Sequence, residues 1–181
     1  MKIKFLSLLT ASLLISGTVS AEYYAGAGYG FSWNGGHAWT DGRKSDYETF
    51  SGIFSAFMGT VIPTEWLDLK AEAEFLRLSA EPDFGRTRKF QVLMGNLVGV
   101  IPNVDLPVKP YVGLGLGYAR WDHNNTVAYQ VLGGVEYELD QYPVGFALEY
   151  KHLWPNENGG KTTTKSRINS DTIMLKVKYL F

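Results

Sequence analysis

The chain has 181 residues, no cysteine, 20 glycines, 14% aromatic residues and a formal net charge of −1. Near neutrality removes the electrostatic footprint expected of a nucleic-acid binder, and the lack of cysteine removes disulfides as the frame of an exported domain. After its first residues the sequence has no apolar run of the roughly 20 residues that a spanning helix requires, so a membrane-bound form has to cross with strands closed into a barrel.

Two lysines, Lys2 and Lys4, precede and flank the start of the apolar run Phe5–Gly17, and Val19-Ser20-Ala21 follows with small residues. A positive end, a short apolar stretch and a small-residue site describe a secretory signal peptide, with cleavage expected after Ala21. Residues 22–181 are then expected to form one domain.

That domain reads as eight alternating segments divided by turn residues, with no linker, low-complexity tract or helical periodicity. The first, Glu22–Trp33, sets Tyr23, Ala25, Ala27, Tyr29, Phe31 and Trp33 against a glycine-rich row. The second, Thr49–Ile62, and the fourth, Lys89–Ile101, are apolar in both rows, which leaves their facing open. The third, Trp66–Leu78, sets Leu67, Leu69, Ala71, Ala73 and Phe75 against Asp68, Lys70, Glu72 and Glu74. The fifth, Tyr111–Trp121, sets Val112, Leu114, Leu116 and Tyr118 against glycines. The sixth, Val127–Leu139, sets Tyr129, Val131, Val135 and Tyr137 against Gln130, Glu136 and Glu138. The seventh, Val144–Leu153, sets Phe146, Leu148 and Tyr150 against Glu149 and Lys151. The eighth, Asp171–Phe181, sets Ile173, Leu175, Val177, Tyr179 and Phe181 against Lys176 and Lys178.

Alternation alone also suits a soluble sandwich. Two features favour a membrane barrel. The apolar rows carry aromatics near their ends, as at the two lipid–water interfaces. The polar rows carry both signs of charge, and a lysine turned to lipid at mid-bilayer costs about 2–4 kcal/mol, whereas turned inward it can pair with an acid. The expected fold is an eight-stranded antiparallel up-and-down transmembrane β-barrel. Its inward charge network comprises Asp68, Lys70, Glu72, Glu74, Gln130, Glu136, Glu149, Lys151, Lys176 and Lys178. Expected outer loops are Asn34–Asp46, Ser79–Thr87, Asp122–Thr126 and Trp154–Ser170, with inner turns Pro63–Glu65, Pro102–Lys109 and Asp140–Pro143. Trp39 and Trp154 stand in the first and last of these loops as candidate contacts for a partner.

Met94-Gly95-Asn96-Leu97, Pro110-Tyr111-Val112-Gly113-Leu114-Gly115-Leu116-Gly117-Tyr118 and Tyr129–Tyr137 resemble the opacity-protein family of outer-membrane β-barrels, related to the barrel domain of outer membrane protein A. The resemblance implies exposed variable loops, an adhesin-like or structural role, and Tyr179 and Phe181 as the signal read by the barrel-assembly machinery after escort by periplasmic chaperones. It also implies a monomer among outer-membrane lipid and lipopolysaccharide, facing a host surface ligand. The chain stops at Phe181, so the peptidoglycan anchoring of outer membrane protein A is not expected here.

A small-solute porin with a narrow charged lumen is the alternative. Some eight-stranded barrels are lipid A enzymes, and His152 resembles the placement of a deacylase histidine. That motif wants a serine two residues on, where this chain has Trp154. His37, His123 and His152 have no metal-like spacing, so neither catalysis nor a cofactor is expected.

Overall fold

The computed structural model describes residues 22–40, 43–64, 66–80, 88–101, 107–121, 124–155 and 165–181, with side chains left out at 34–40, 43–50, 79–80, 88–90, 121, 124, 155 and 165–168. The signal-peptide expectation at Met1–Ala21 and the position of His123 lie outside the described residues.

Eight strands follow one another: β1 (Glu22–Thr40), β2 (Arg43–Ile62), β3 (Asp68–Ala80), β4 (Arg88–Val100), β5 (Lys109–Trp121), β6 (Asn124–Glu138), β7 (Val144–Pro155) and β8 (Lys165–Leu180). Each pairs antiparallel with its neighbours, and β1 pairs with β8, giving a closed barrel in sequence order. At the rim that holds the chain end, Phe181 N–H donates to Tyr23 O at 3.0 Å and Tyr23 N–H donates to Phe181 O at 3.3 Å. Closure leaves no sheet edge in the wall, which is the condition for a strand-built protein to sit in lipid.

The rows separate cleanly. Leu93, Leu97, Val112, Leu114, Leu116, Leu148, Leu175 and Val177 face outward and are 47–71% exposed. In water such a surface would be an association hazard; in a bilayer it is solvated by acyl chains. The two strands left open by the sequence fall into line. Ile53, Phe57 and Val61 of β2 and Val92, Met94, Val98 and Val100 of β4 point inward and are buried, while Phe54, Met58, Leu93 and Leu97 point outward.

The expected loop Asn34–Asp46 is instead largely strand. β1 and β2 stay paired from Trp33↔Phe50 out to Thr40↔Arg43, and β8 accompanies β1 as far as Trp39↔Lys165. β2 pairs with β3 only from Ile53↔Leu78 onward, so this extension reaches beyond that part of the wall. Outside the membrane no lipid demands an apolar row, so alternation ends there while the backbone ladder continues. The Asp122–Thr126 and Trp154–Ser170 loops likewise shorten, because Asn124–Thr126, Trp154, Pro155 and Lys165–Ser170 are strand.

Candidate functional site: the barrel interior and outer rim

The lumen has two halves. Toward the rim away from the chain ends, Ile53, Leu76, Leu78, Val92, Met94, Ala119, Ala128, Leu153 and Met174 form one buried apolar cluster. Toward the chain ends, Tyr24, Phe57 and Val61 pack together, and Val98, Val100, Tyr111 and Leu132 form another cluster. A charge network runs through that lower half.

Lys151 is the largest fully buried member, with a side chain only 1% exposed. Its ammonium lies 2.6 Å from Glu74 and 2.8 Å from Glu149. Lys176 lies 3.1 Å from Glu72, 3.3 Å from Glu149 and 3.7 Å from Glu74, with the Phe57 ring centroid 4.1 Å away. One step nearer the chain ends, Lys70 lies 2.5 Å from Glu136, and Lys178 joins Glu136 at 3.1 Å to Glu138 at 2.6 Å. Lys109 closes this end on Glu138 at 2.6 Å.

Neutral groups donate to several of the carboxylates as well. Tyr24 donates to Glu72 at 3.2 Å, Tyr111 to Glu149 at 3.1 Å and Ser55 to Glu74 at 2.7 Å. The Asn96 amide donates to Glu72 and Glu74, each at 3.2 Å, and Gln130 donates to the Asn96 oxygen at 2.6 Å. Glycines make room for these spans: a Cβ on Gly115 would collide with the Asn96 amide oxygen, and one on Gly28 would stand 2.7 Å from Met174 Sδ and 3.0 Å from Lys176 Cγ.

Of the residues expected in this network, Asp68 is placed elsewhere. It belongs to the β2–β3 turn, where its carboxylate accepts from Thr64 N–H at 3.4 Å, and Thr64 also accepts from Leu67 N–H. Its parity matches Lys70, but the strand only begins there. Tyr24, Tyr111, Ser55, Asn96 and Lys109 are members that sequence reasoning missed. Tyr24, Tyr111 and Lys109 sit at strand starts, and Ser55 and Asn96 sit on the two strands whose facing was open.

These groups can neutralise and brace one another. The cavity among Tyr24, Phe57, Lys70, Glu72, Tyr111 and Lys176 holds about 30 Å³, enough for about one water. Above it stands the apolar cluster, in which Leu76 and Met174 are fully buried. A fixed barrel interior of eight strands is about filled by its side chains. Planar-bilayer recordings on the refolded chain are therefore expected to show no steady unitary current, and E72Q is expected to change nothing. Steady currents that shift with E72Q would establish an ion path.

A second polar group lies on the outer wall. His152 lies in β7, and Trp154, expected in the last outer loop, continues that strand, half-buried with its ring centroid 4.2 Å from that of His152. Asp171 of β8 sits directly across the register from His152. Its carboxylate takes Tyr150 O–H at 2.5 Å and pairs with His152 Nδ1 at 2.6 Å. A histidine oriented by a carboxylate is the base half of a nucleophile–base arrangement. At the neighbouring outward position stands an indole, which supplies no nucleophile. Trp39 lies in β1 opposite Lys44 and Lys165, and His37 opposite Asp46 and Arg167; their side chains lie outside the description. Among the described residues no three metal-binding side chains converge.

A family model described as an outer membrane protein beta-barrel domain matches residues 5–181. No curated protein sequence matches the chain. Among solved structures, Neisserial surface protein A is similar at 18% identity over 88% of this chain and 97% of its own, with a TM-score of 0.57. The outer membrane enzyme PagL is similar at 11% identity over 80% of this chain and 97% of its own, with a TM-score of 0.55. At these identities the likeness is one of fold.

Proposed function

The chain belongs to the outer membrane protein beta-barrel domain family, and from that premise we propose that it is a surface protein with a structural or adhesin-like role. The observation that carries this reading is the pairing of β1 with β2 and β8 out to Thr40↔Arg43 and Trp39↔Lys165. A filled barrel gives up its interior as a working site, so the working surface is what the barrel raises above the membrane. A paired extension holds that surface on a rigid base, as binding segments on scaffolds are commonly held. Short turns on the periplasmic side and longer segments outside are the rule for such barrels, and by that rule the extension stands on the cell exterior in this reading.

The remaining parts of the proposal follow from this placement. Met1–Ala21 directs export and is removed. Tyr179 and Phe181 on β8 are read by the barrel-assembly machinery after periplasmic chaperones deliver the chain. The protein is a monomer, and a host surface ligand meets the extension, with Trp39 near its tip and Trp154 near its base. Catalysis is not part of the role, because the His152–Asp171 pair has Trp154 where a serine would have to stand.

Replacing residues 35–48 by an Asn-Gly turn tests the reading, since that dipeptide suits a two-residue hairpin joining Asn34 to Thr49. The shortened barrel is expected to keep its heat-modifiable gel shift. Cells displaying it are expected to lose adherence to host cells relative to cells displaying the full chain. Equal adherence from both would sink the surface-binding role.

A further inference from the structure

We propose that Arg77, Gln91, Arg120 and Asn125 form a docking site on the outer wall for the phosphate of an outer-leaflet lipid. This goes beyond the surface role, which concerns the extension above the membrane.

The four residues are outward-facing and exposed. They stand on adjacent strands in one continuous register row: Arg77↔Gln91, Gln91↔Arg120 and Arg120↔Asn125. The outward row one step toward the chain ends is Phe75↔Leu93, Leu93↔Tyr118 and Tyr118↔Val127, apolar throughout apart from one phenol. On four adjacent strands the outward wall therefore turns from apolar to polar at the same step of the ladder. A change shared by four neighbouring strands marks the zone where the wall leaves the hydrocarbon, the row itself climbing with the tilt of the strands.

Depth agrees with that assignment. Arg120 stands eight residues beyond Val112 on β5. At about 3.4 Å per residue and a tilt of roughly 40°, that is about 20 Å along the membrane normal, against an apolar band of about 25 Å. Val112 itself is 71% exposed and belongs to the lower part of the band.

Charge then decides the ligand. The row holds two guanidiniums and no acid. Among the described residues neither Arg77 nor Arg120 has an ion pair or hydrogen bond. The opposite wall makes the contrast, because there Asp171 is held by Tyr150 and His152 from the protein itself. With Gln91 between them, the arginines are two strand spacings apart, about 10 Å at the backbone. Their planar forks can converge on one phosphate and bind its oxygens in pairs. Gln91 and Asn125 add amide donors for the remaining oxygens or neighbouring hydroxyls.

The row below chooses a lipid over free phosphate. A molecule with acyl chains on Phe75, Leu93, Tyr118 and Val127 and a phosphate above them satisfies both levels of the wall at once. Inorganic phosphate satisfies only the upper one.

The test uses the full chain folded into phosphatidylcholine nanodiscs, with retained lipid read by native mass spectrometry as diphosphoryl lipid A is titrated in. Wild type is expected to retain the probe, less so as salt rises. R77Q/R120Q is expected to bind at least tenfold more weakly. D171N, which removes a charge from the opposite wall, is expected to match wild type. Lipid A stripped of its phosphates is expected to bind wild type no better than the intact probe binds the double variant. Retention by R77Q/R120Q equal to wild type would overturn the site. So would equal retention of the dephosphorylated probe, or full displacement by millimolar inorganic phosphate. Should the double variant lack the heat-modifiable shift, R77Q and R120Q singly are each expected to weaken retention about threefold, and no weakening in either overturns the proposal.

Discussion

Replacing Lys151 with methionine is expected to remove about 3–5 kcal/mol of stability, because it strands buried carboxylates without their cation. Glu74 and Glu149 both contact this ammonium, within 2.8 Å, and Glu74 is fully buried. Both carboxylates are shut off from bulk water, which leaves the lost charge largely uncompensated. The companion change identifies the cause. K151M/E74Q removes both partners of the closest pair and leaves Glu149 with Lys176 at 3.3 Å. Removing a buried pair together costs far less than breaking it, so the double variant is expected within about 1–2 kcal/mol of wild type. Equilibrium urea titration in phospholipid vesicles, followed by tryptophan emission, measures both. A loss below about 1 kcal/mol in K151M would mean that the lumen is wet enough to screen the acids.

The second large effect concerns the other face of the wall. Leu116 is 59% exposed and sits midway along β5, between Gly95 and Tyr129 in the ladder. On a water-soluble protein, an exposed leucine changed to arginine shifts stability by no more than about 0.5 kcal/mol. On a lipid-facing wall at mid-bilayer the same change costs about 2–4 kcal/mol, falling to about 0–1 near the interfaces. L116R is therefore expected to destabilise by the larger amount, and V112R, nearer the inner rim, by much less. Equal and small effects at both positions in vesicles would remove lipid from the outer face.

Much of this was legible in the sequence because a thin lipid layer and a filled lumen impose opposite demands on alternate residues. In β3, β6, β7 and β8 the demands differ in polarity, so Ala71 against Glu72, or Leu175 against Lys176, announces its own facing. In β2 and β4 they do not differ. Ile53, Val92 and Met94 fill an apolar interior layer, and Phe54 and Leu93 face acyl chains, so both rows read alike. The same ambiguity hid Ser55 and Asn96, which hydrogen-bond the network from those strands. Asp68 shows the converse error: its parity was right, but a turn at Thr64 claims the side chain before the strand enters the membrane. The β1–β2 extension was illegible for a third reason. Gly35 and Gly36 signal a loop only where a packed face is required, and above the membrane the backbone pairing needs none.

The eighth strand has a role in time as well as in space. Among the described lumen residues, β1–β7 contribute five acids, Glu72, Glu74, Glu136, Glu138 and Glu149, but only three lysines, Lys70, Lys109 and Lys151. β8 brings the missing pair, Lys176 and Lys178, in the same step that joins Leu180 to Tyr24. A seven-stranded sheet thus has two unmatched negative charges and two open edges, and bilayer tolerates neither. Electrical balance and mechanical closure arrive together, the closure joining Tyr24 and Leu180 from more than 150 positions apart in the chain. Pairing across such a separation is slow to find. Closure of the wall therefore waits on β8, and until it docks the sheet carries an open edge and unmatched charge together.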